Sequence, residues 1–289
     1  MTRPDSRAHA PFAVRAGLAT LDDDAVALRS ALDAIFEGWA LQAGATRQLF
    51  PPLIAVAELA GLDYFRNFPH LAVLATGLRD NETQQRYVES TRIDSVPAED
   101  LRPAQYALPS AACFNVYLAL RDSTIERDRR VTTVCSCFRR EQEYHDRRLL
   151  GFTMREVVCV GANEAVIEHV RTFKQTVLAF AEAIGLPLDV QASSDPFFEA
   201  SGPRKLMQQL FPVKEEFVYT GGGGPVAIGS INFHRNFFGE RCAITLDDGS
   251  FAFSGCAAFG LERWISVLLE HFGAAALDRV IEAKAGLWQ

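Results

Sequence analysis

The chain has 289 residues and a mass of 31.9 kDa, and 48% of them are hydrophobic, enough to fill the core of one large or two ordinary domains. Its 29 basic against 36 acidic side chains give a formal net charge of -7 and a pI near 5.4, which argues against a general nucleic-acid binder, since phosphate contacts require a basic surface. No run approaches the ~18 apolar residues of a membrane span, and the opening MTRPDSRAHAPF has no apolar signal core, so the expected compartment is the cytoplasm with reduced thiols.

Residues 1–20 carry no sustained period and are expected to be a mobile lead, with residues 21–289 as a single domain. From Leu21 an Asp-rich cap is followed by Ala25, Leu28, Leu32, Ile35, Phe36 and Trp39 at helical spacing, which predicts an amphipathic helix. Pro51-Pro52 stops any helix there. Phe65 to Leu78 and Thr83 to Ile93 give no firm pattern. YALPSAACFNVYLAL, from Tyr106 to Leu120, enters an apolar helix with Cys113 at its start.

Val131 to Gly161 reads VTTVCSCFRREQEYHDRRLLGFTMREVVCVG, two β-rich runs around a charged loop, which predicts a long antiparallel hairpin. Along it Cys135, Cys137, Arg139 and Glu141 share one face, as do Phe152, Met154, Glu156 and Val158. From Arg127 to Glu156 there are eight arginines against five acids, a positive island in an acidic chain. Glu164 to Ile184 is a strong helix stripe ended by Gly185 and Pro187. Thr220 to Pro225, TGGGGP, lacks the Lys-Ser/Thr of a phosphate loop and predicts a flexible turn. Val226 to Ile231 and Cys242 to Leu246 predict strands, and SGCAAFGLERW from Ser254 places small residues and Arg263 at the opening of an apolar helix.

FRRE at Phe138 and FTMRE at Phe152 resemble motif 2 of the class II aminoacyl-tRNA synthetases, and the Ser254 stretch resembles their motif 3. The helix from Leu21 and the prolines after it loosely resemble motif 1, which implies a homodimer. The resemblance implies an α+β fold, an antiparallel sheet flanked by helices. It implies ATP held by Arg139 at the α-phosphate, Glu141 at the adenine amino group, Phe152 stacked on adenine and Arg263 at the γ-phosphate. A bidentate guanidinium suits a phosphate whose charge grows during adenylate formation.

Read as residues alone, Cys113, Glu156 and Cys256 form a chemically acceptable but unproven zinc set, and Cys135 and Cys137 read as buried small hydrophobes. PSAACFNVY, CFRREQEYHDRRLLGFTMRE, SDPFF, SINFHRNFFG and SGCAAFGLER are similar, in order and spacing, to segments of the archaeal-type seryl-tRNA synthetases and of their truncated relatives, the amino acid:carrier-protein ligases. That resemblance implies one Zn²⁺ on Cys113, Glu156 and Cys256 with its open position facing the substrate amine. It also implies Asp195, Ser230 and Asn232 around the amino acid together with Arg139. Mg²⁺ would accompany ATP, but the position that holds a metal-binding glutamate in the synthetases is Ala227 here.

The activity implied is activation of glycine or alanine as an adenylate and transfer to the phosphopantetheine thiol of a carrier protein, without a tRNA-binding extension. Two alternatives stay open: a minimal tRNA-aminoacylating or tRNA-modifying paralogue, which the acidic total disfavours, and a non-catalytic regulatory subunit, which the retained arginines disfavour. An acidic carrier would dock on positive charge, for which Arg147 with Arg148, and Arg204 with Lys205, are the local candidates.

Overall fold

The computed structural model describes residues 12–198 and 213–287, so Arg204 and Lys205 lie outside the described residues. Helix α1 (Asp23–Gln42) forms where the pattern predicts it. Asp22 accepts a hydrogen bond from the Ala25 N–H at 2.9 Å, Asp23 and Asp24 occupy the first turn, and Leu28, Leu32, Ile35, Phe36 and Trp39 are buried. Ahead of it, β1 (Phe12–Arg15) and β2 (Leu18–Leu21) form an antiparallel hairpin where a mobile lead was expected. Its turn, Ala16-Gly17, has positive φ at both residues, 51° and 78°, a geometry that an Ala-Gly pair does not advertise.

The hairpin joins a nine-stranded sheet that also contains β3 (Thr46–Arg47), β8 (Arg129–Phe138), β9 (Gly151–Gly161), β10 (Asp189–Ser193), β11 (Lys214–Gly221), β12 (Gly224–Arg235) and β14 (Phe253–Gly260). Its order is β1-β2-β9-β14-β12-β11-β10, with β8 paired to β9 and β3 to β8, and every pairing is antiparallel except β2 with β9 and β3 with β8. Two small sheets flank it. One holds β4 (Ile54–Ala55), β5 (Leu74–Ala75) and β6 (Tyr106–Ala107), and the other pairs β7 (Thr124–Ile125) with β13 (Thr245–Leu246).

Three segments differ from their sequence reading. Lys214 to Gly221, unassigned in the sequence, is a full strand that turns tightly through Gly222-Gly223 into β12. Cys242 ends a short helix, α7 (Phe237–Cys242), instead of opening a strand. Phe253 to Gly260 is a strand throughout, so Cys256 sits in mid-sheet between Val158 and Asn232, and the helix starts only at Leu261. The other helices are α2 (Val56–Gly61), α3 (Tyr64–Asn67), α4 (Asn81–Glu89), α5 (Phe114–Ala119), α6 (Asn163–Ile184), α8 (Leu261–Phe272) and α9 (Ala276–Leu287).

Strand alternation divides the sheet into two faces. Val157, Ala257, Phe259, Ile231 and Phe217 look toward α1, α6, α8 and α9, forming the main core with Phe36, Trp39, Phe173, Phe180 and Trp264. Gly255 lets α6 come close: a Cβ there would lie 2.9 Å from the side chains of Val166 and Val170 and from the Asn232 carbonyl. Gly255 is therefore the small residue of this strand that makes room for α6. The opposite face carries Met154, Glu156, Cys256 and Ala258, and is closed at one end by α5 and α7 through the Tyr117–Phe238 stack, 3.9 Å between centroids.

Two polar groups interrupt the core side. Arg155, 5% exposed, donates to both Asp33 carboxylate oxygens on α1, approaches Glu37 at 3.6 Å and donates to the Thr132 hydroxyl at 2.9 Å, tying α1 to the β8–β9 hairpin. Its carboxylate partners Asp33 and Glu37 are 30% and 29% exposed, so Arg155→Met is expected to lower unfolding free energy by about 2–3 kcal/mol in denaturant titration, below the full cost of breaking a buried pair. His169 on α6 is buried, donates from Nε2 to the Val157 carbonyl at 3.1 Å and has no partner at Nδ1. Burial pushes its pKa down to about 4 from an unfolded value of about 6.5. The unfolded chain then takes up a proton that the folded one refuses, so this contribution is complete above pH ~6.5 and lost as pH falls toward 4. It amounts to at most about 3 kcal/mol. His169→Gln should flatten the fall in stability between those pH values.

Candidate active site

The β8–β9 hairpin supplies the first half of the site. Phe138 pairs with Gly151, and Arg139 leaves the strand with its N–H on the Leu150 carbonyl. Its Nε donates to the Ser110 carbonyl at 2.9 Å, and its guanidinium lies 5.2 Å from the Phe152 ring centre. The loop is fixed by α8: Arg263 Nε donates to the Arg147 carbonyl at 2.9 Å, Ser266 to Asp146 at 3.2 Å, and Arg147 pairs with Glu270. Arg263 Nη1 also donates to the Ala227 carbonyl at 3.0 Å. Burial, with Arg139 nearby, pushes the Arg263 pKa down to about 10, which leaves it charged at neutral pH.

Arg139, Arg147, Phe152, Ala227 and Arg263 line a narrow cavity of about 100 Å³ together with Glu141, Arg148, Glu216, Ser230 and Glu262. Arg139, Glu141, Phe152, Ser230 and Arg263 thus meet although up to 124 positions separate them (263 - 139). Glu141 lies 3.9 Å from Arg148. Glu262 accepts the Thr153 N–H at 2.7 Å, and burial raises its pKa.

A wider cavity of about 570 Å³ adjoins it, lined among others by Cys113, Glu156, Asp195, Asn232, His234 and Cys256. Cys113, Glu156 and Cys256 are buried with their ligand atoms within 4.8 Å of one another. Glu156 Oε1 accepts the Ala112 N–H at 3.1 Å, whereas Oε2 is buried with no hydrogen-bond partner. Burial raises the Glu156 pKa, and the Cys256 thiol beside Cys113, with burial, pushes Cys113 well above the ordinary thiol value. Two thiols and an unsatisfied carboxylate oxygen in this spacing fit a thiophilic divalent ion such as zinc. Asn232 Nδ2 reaches both the Ser230 hydroxyl at 3.0 Å and Cys256 Sγ at 3.5 Å. By contrast Cys135 and Cys137, 3.6 Å apart, line neither cavity.

Sequence reasoning missed two residues here. Lys214, the first residue of β11, lines both cavities, and finding it requires reading KEEFVYTG as a strand. His234 stands at an irregularity in the β12–β14 pairing, with Nδ1 3.2 Å from the Tyr117 hydroxyl, and burial pushes its pKa down to about 4. Arg147, expected to be open to a partner, is held by Glu270 and the Gly224 carbonyl with 12% of its side chain exposed; Arg148 remains about half exposed.

No family model matches the chain. Among characterised proteins, amino acid–acyl-carrier-protein ligases 1 and 2 of Bradyrhizobium diazoefficiens are 33% and 31% identical to it, over 80% and 77% of this chain and 72% and 68% of theirs. Among solved structures, the Methanopyrus kandleri SerRS, in a complex with A. aeolicus tRNASec, superposes with a TM-score of 0.78 at 22% identity, covering 94% of this chain. A cytoplasmic serine–tRNA ligase of Naegleria fowleri superposes at 0.69 with 11% identity over 92% of this chain. The chain spans 58% and 55% of those two synthetase chains. The fold is that of the class II aminoacyl-tRNA synthetases, and the chain belongs to the amino acid–acyl-carrier-protein ligase family of enzymes.

Proposed function

We propose that this protein activates a small amino acid, glycine or alanine, with ATP and transfers it from the adenylate to the phosphopantetheine thiol of a carrier protein. The observation that carries the reading is the junction of the two cavities. Arg139, Met154, Lys214, Ser230 and Ala258 line both, so a cleft lined by Arg139, Arg147, Arg148 and Arg263 opens directly onto the Cys113–Glu156–Cys256 cluster. Family membership supports the carrier as acceptor, and the resemblance supports the small substrate.

Cys113, Glu156 and Cys256 would hold zinc, which when bound offers an open position to a neutral amine and rejects an ammonium. Mg²⁺ would enter with ATP; Ala227 has no side-chain oxygen for it, and the carboxylates lining the cleft are Glu141, Glu216 and Glu262. Phe152 and Glu141 bind adenine, Arg139 the α-phosphate and Arg263 the γ-phosphate. Asp195, Ser230 and Asn232 border the amino acid. A substrate carboxylate is already a nucleophile, so its oxygen attacks the α-phosphorus and pyrophosphate leaves without a general base. The side chains supply alignment and charge neutralisation. The carrier thiol then displaces AMP to form the thioester. A homodimer and a cytoplasmic setting belong to the same proposal; no helix among the described residues is long and apolar enough to cross a membrane.

ATP–pyrophosphate exchange screened across amino acids tests the reading: exchange confined to one or two small amino acids is expected, and none would overturn it. Purified protein should carry about one zinc per chain, lost in Cys113→Ser and Cys256→Ser and retained in Cys135→Ser; metal kept in both ligand variants would refute the assignment. Arg263→Ala should abolish exchange and also strip donors from two carbonyls. A loss of about 1–3 kcal/mol of stability is expected, seen as a drop of several degrees in melting temperature. Arg263→Lys separates the two effects by keeping charge.

A further inference from the structure

We propose that Lys214 is a catalytic residue, gripping the substrate carboxylate at the junction of the two cavities while it attacks the α-phosphorus; this rests on the adenylate-forming reading above. Lys214 opens β11 opposite Asn232 on β12, and 14% of its side chain is exposed. Its ammonium lies 3.1 Å from Glu216 Oε1, which belongs to the phosphate-side cavity, and 3.4 Å from Asp195 Oδ1, which belongs to the other. An ammonium has three donors, and these two carboxylates engage two of them. One is left for a third oxygen.

Burying a lysine is costly and is seldom found without paired charge. Here two carboxylates hold it at the place where the reaction brings two anions together. With the amine at the Cys113–Glu156–Cys256 cluster and ATP along Arg139 and Arg263, the substrate carboxylate falls at the junction. Arg139 and Arg263 are each anchored through one or two nitrogens and keep the others for phosphate. Arg139 spends its Nε on the Ser110 carbonyl, Arg263 two nitrogens on the Arg147 and Ala227 carbonyls, and Arg147 is paired with Glu270. A compact point charge suits a nucleophilic oxygen that must keep a lone pair for phosphorus, whereas a guanidinium fork would engage both carboxylate oxygens. As the carboxylate oxygen–phosphorus bond forms and the bond to pyrophosphate breaks, Lys214 offsets repulsion between the approaching anions.

The test compares wild type with Lys214→Met, Lys214→Gln and Lys214→Arg in ATP–pyrophosphate exchange, with zinc content and melting temperature recorded for each. Lys214→Met is expected to lower kcat/KM for the amino acid about 100-fold, with KM for ATP changed less than about threefold and metal retained. Lys214→Arg should recover part of the loss. The distinguishing measurement is competitive inhibition by the amine that lacks the carboxylate, ethylamine for alanine or methylamine for glycine. Its inhibition constant should not change in Lys214→Met. Equal weakening toward amine and amino acid, or exchange within about threefold of wild type, overturns the proposal. Should the Met variant fail to fold, the same comparison is read from Lys214→Gln, which keeps a polar group between Asp195 and Glu216. A wild type without exchange overturns this inference and the functional reading together, whereas a normal wild type with an unaffected variant overturns the inference alone.

Discussion

Residues 109–113, a short run of backbone between β6 and α5, hold the Cys113–Glu156–Cys256 cluster and Arg139 in one frame. The Pro109 carbonyl accepts the Phe138 N–H, the Ser110 carbonyl accepts Arg139 Nε, the Ala112 N–H reaches Glu156 Oε1, and Cys113 is itself a member of the cluster. Ala111 packs against Cys137 and Met154 between them. Two chemistries separated in sequence are thereby spaced by one rigid element. The strap can be this short because β8 and β9 present alternate residues to it. Phe138 and Arg139 lie at one end and Glu156 further along the neighbouring strand. An unpartnered carboxylate oxygen in such a buried place is costly in itself, of the order of 1–3 kcal/mol. The two thiols beside it are the neighbours that can offset that cost.

Charge is distributed by the same economy. Two of the arginines that line the cleft, Arg139 and Arg263, are oriented by backbone carbonyls, which fix direction without cancelling charge. Arg139 rests on Ser110, and Arg263 on Arg147 and Ala227. Arg155, which faces the core, is met by carboxylates instead and is neutralised. Lys214 lies between these cases, since its two carboxylates anchor it while each borders a different cavity. Carbonyl-held guanidiniums retain a full positive field toward a ligand, as expected where charge must be stabilised without reorganisation. A carboxylate-held one serves the fold.

What was legible in the sequence follows from which physical signals are local. α1 and α6 could be read because each buries one stripe of a long helix, and the Asp22 cap and the Gly185 stop bracket them. The β8–β9 hairpin could be read from its β-rich runs. The burial that follows Phe152 is continuous on both faces, however, because helices cover one side and the site's own walls the other. Ser254 to Gly260 was mistaken for a helix opening because small residues fit both a close helix contact and a central strand. Only the pairing of Cys256 with Val158 and Asn232 decides it. Lys214 to Gly221 carries charged residues at one end and aromatics at the other, so neither period stands out. The cluster of Cys113, Glu156 and Cys256 has no spacing signature at all. It became a candidate through resemblance, and its convergence rests on three separate elements.

The pinning of the hairpin loop to α8 closes the account of the site. Arg263, Ser266 and Glu270 occupy successive turns of that helix and engage the Arg147 carbonyl, Asp146 and the Arg147 side chain in that order. These three contacts tie the loop to the helix at successive turns, and Arg263 is one of them. This arrangement uses up Arg147, leaving Arg148 as the exposed member of the basic pair. A half-exposed guanidinium at this rim acts mainly on association rate, because rim charges contribute little to affinity. The wide cavity beside it combines apolar wall from Phe68, Phe197, Phe237 and Phe238 with the polar cluster.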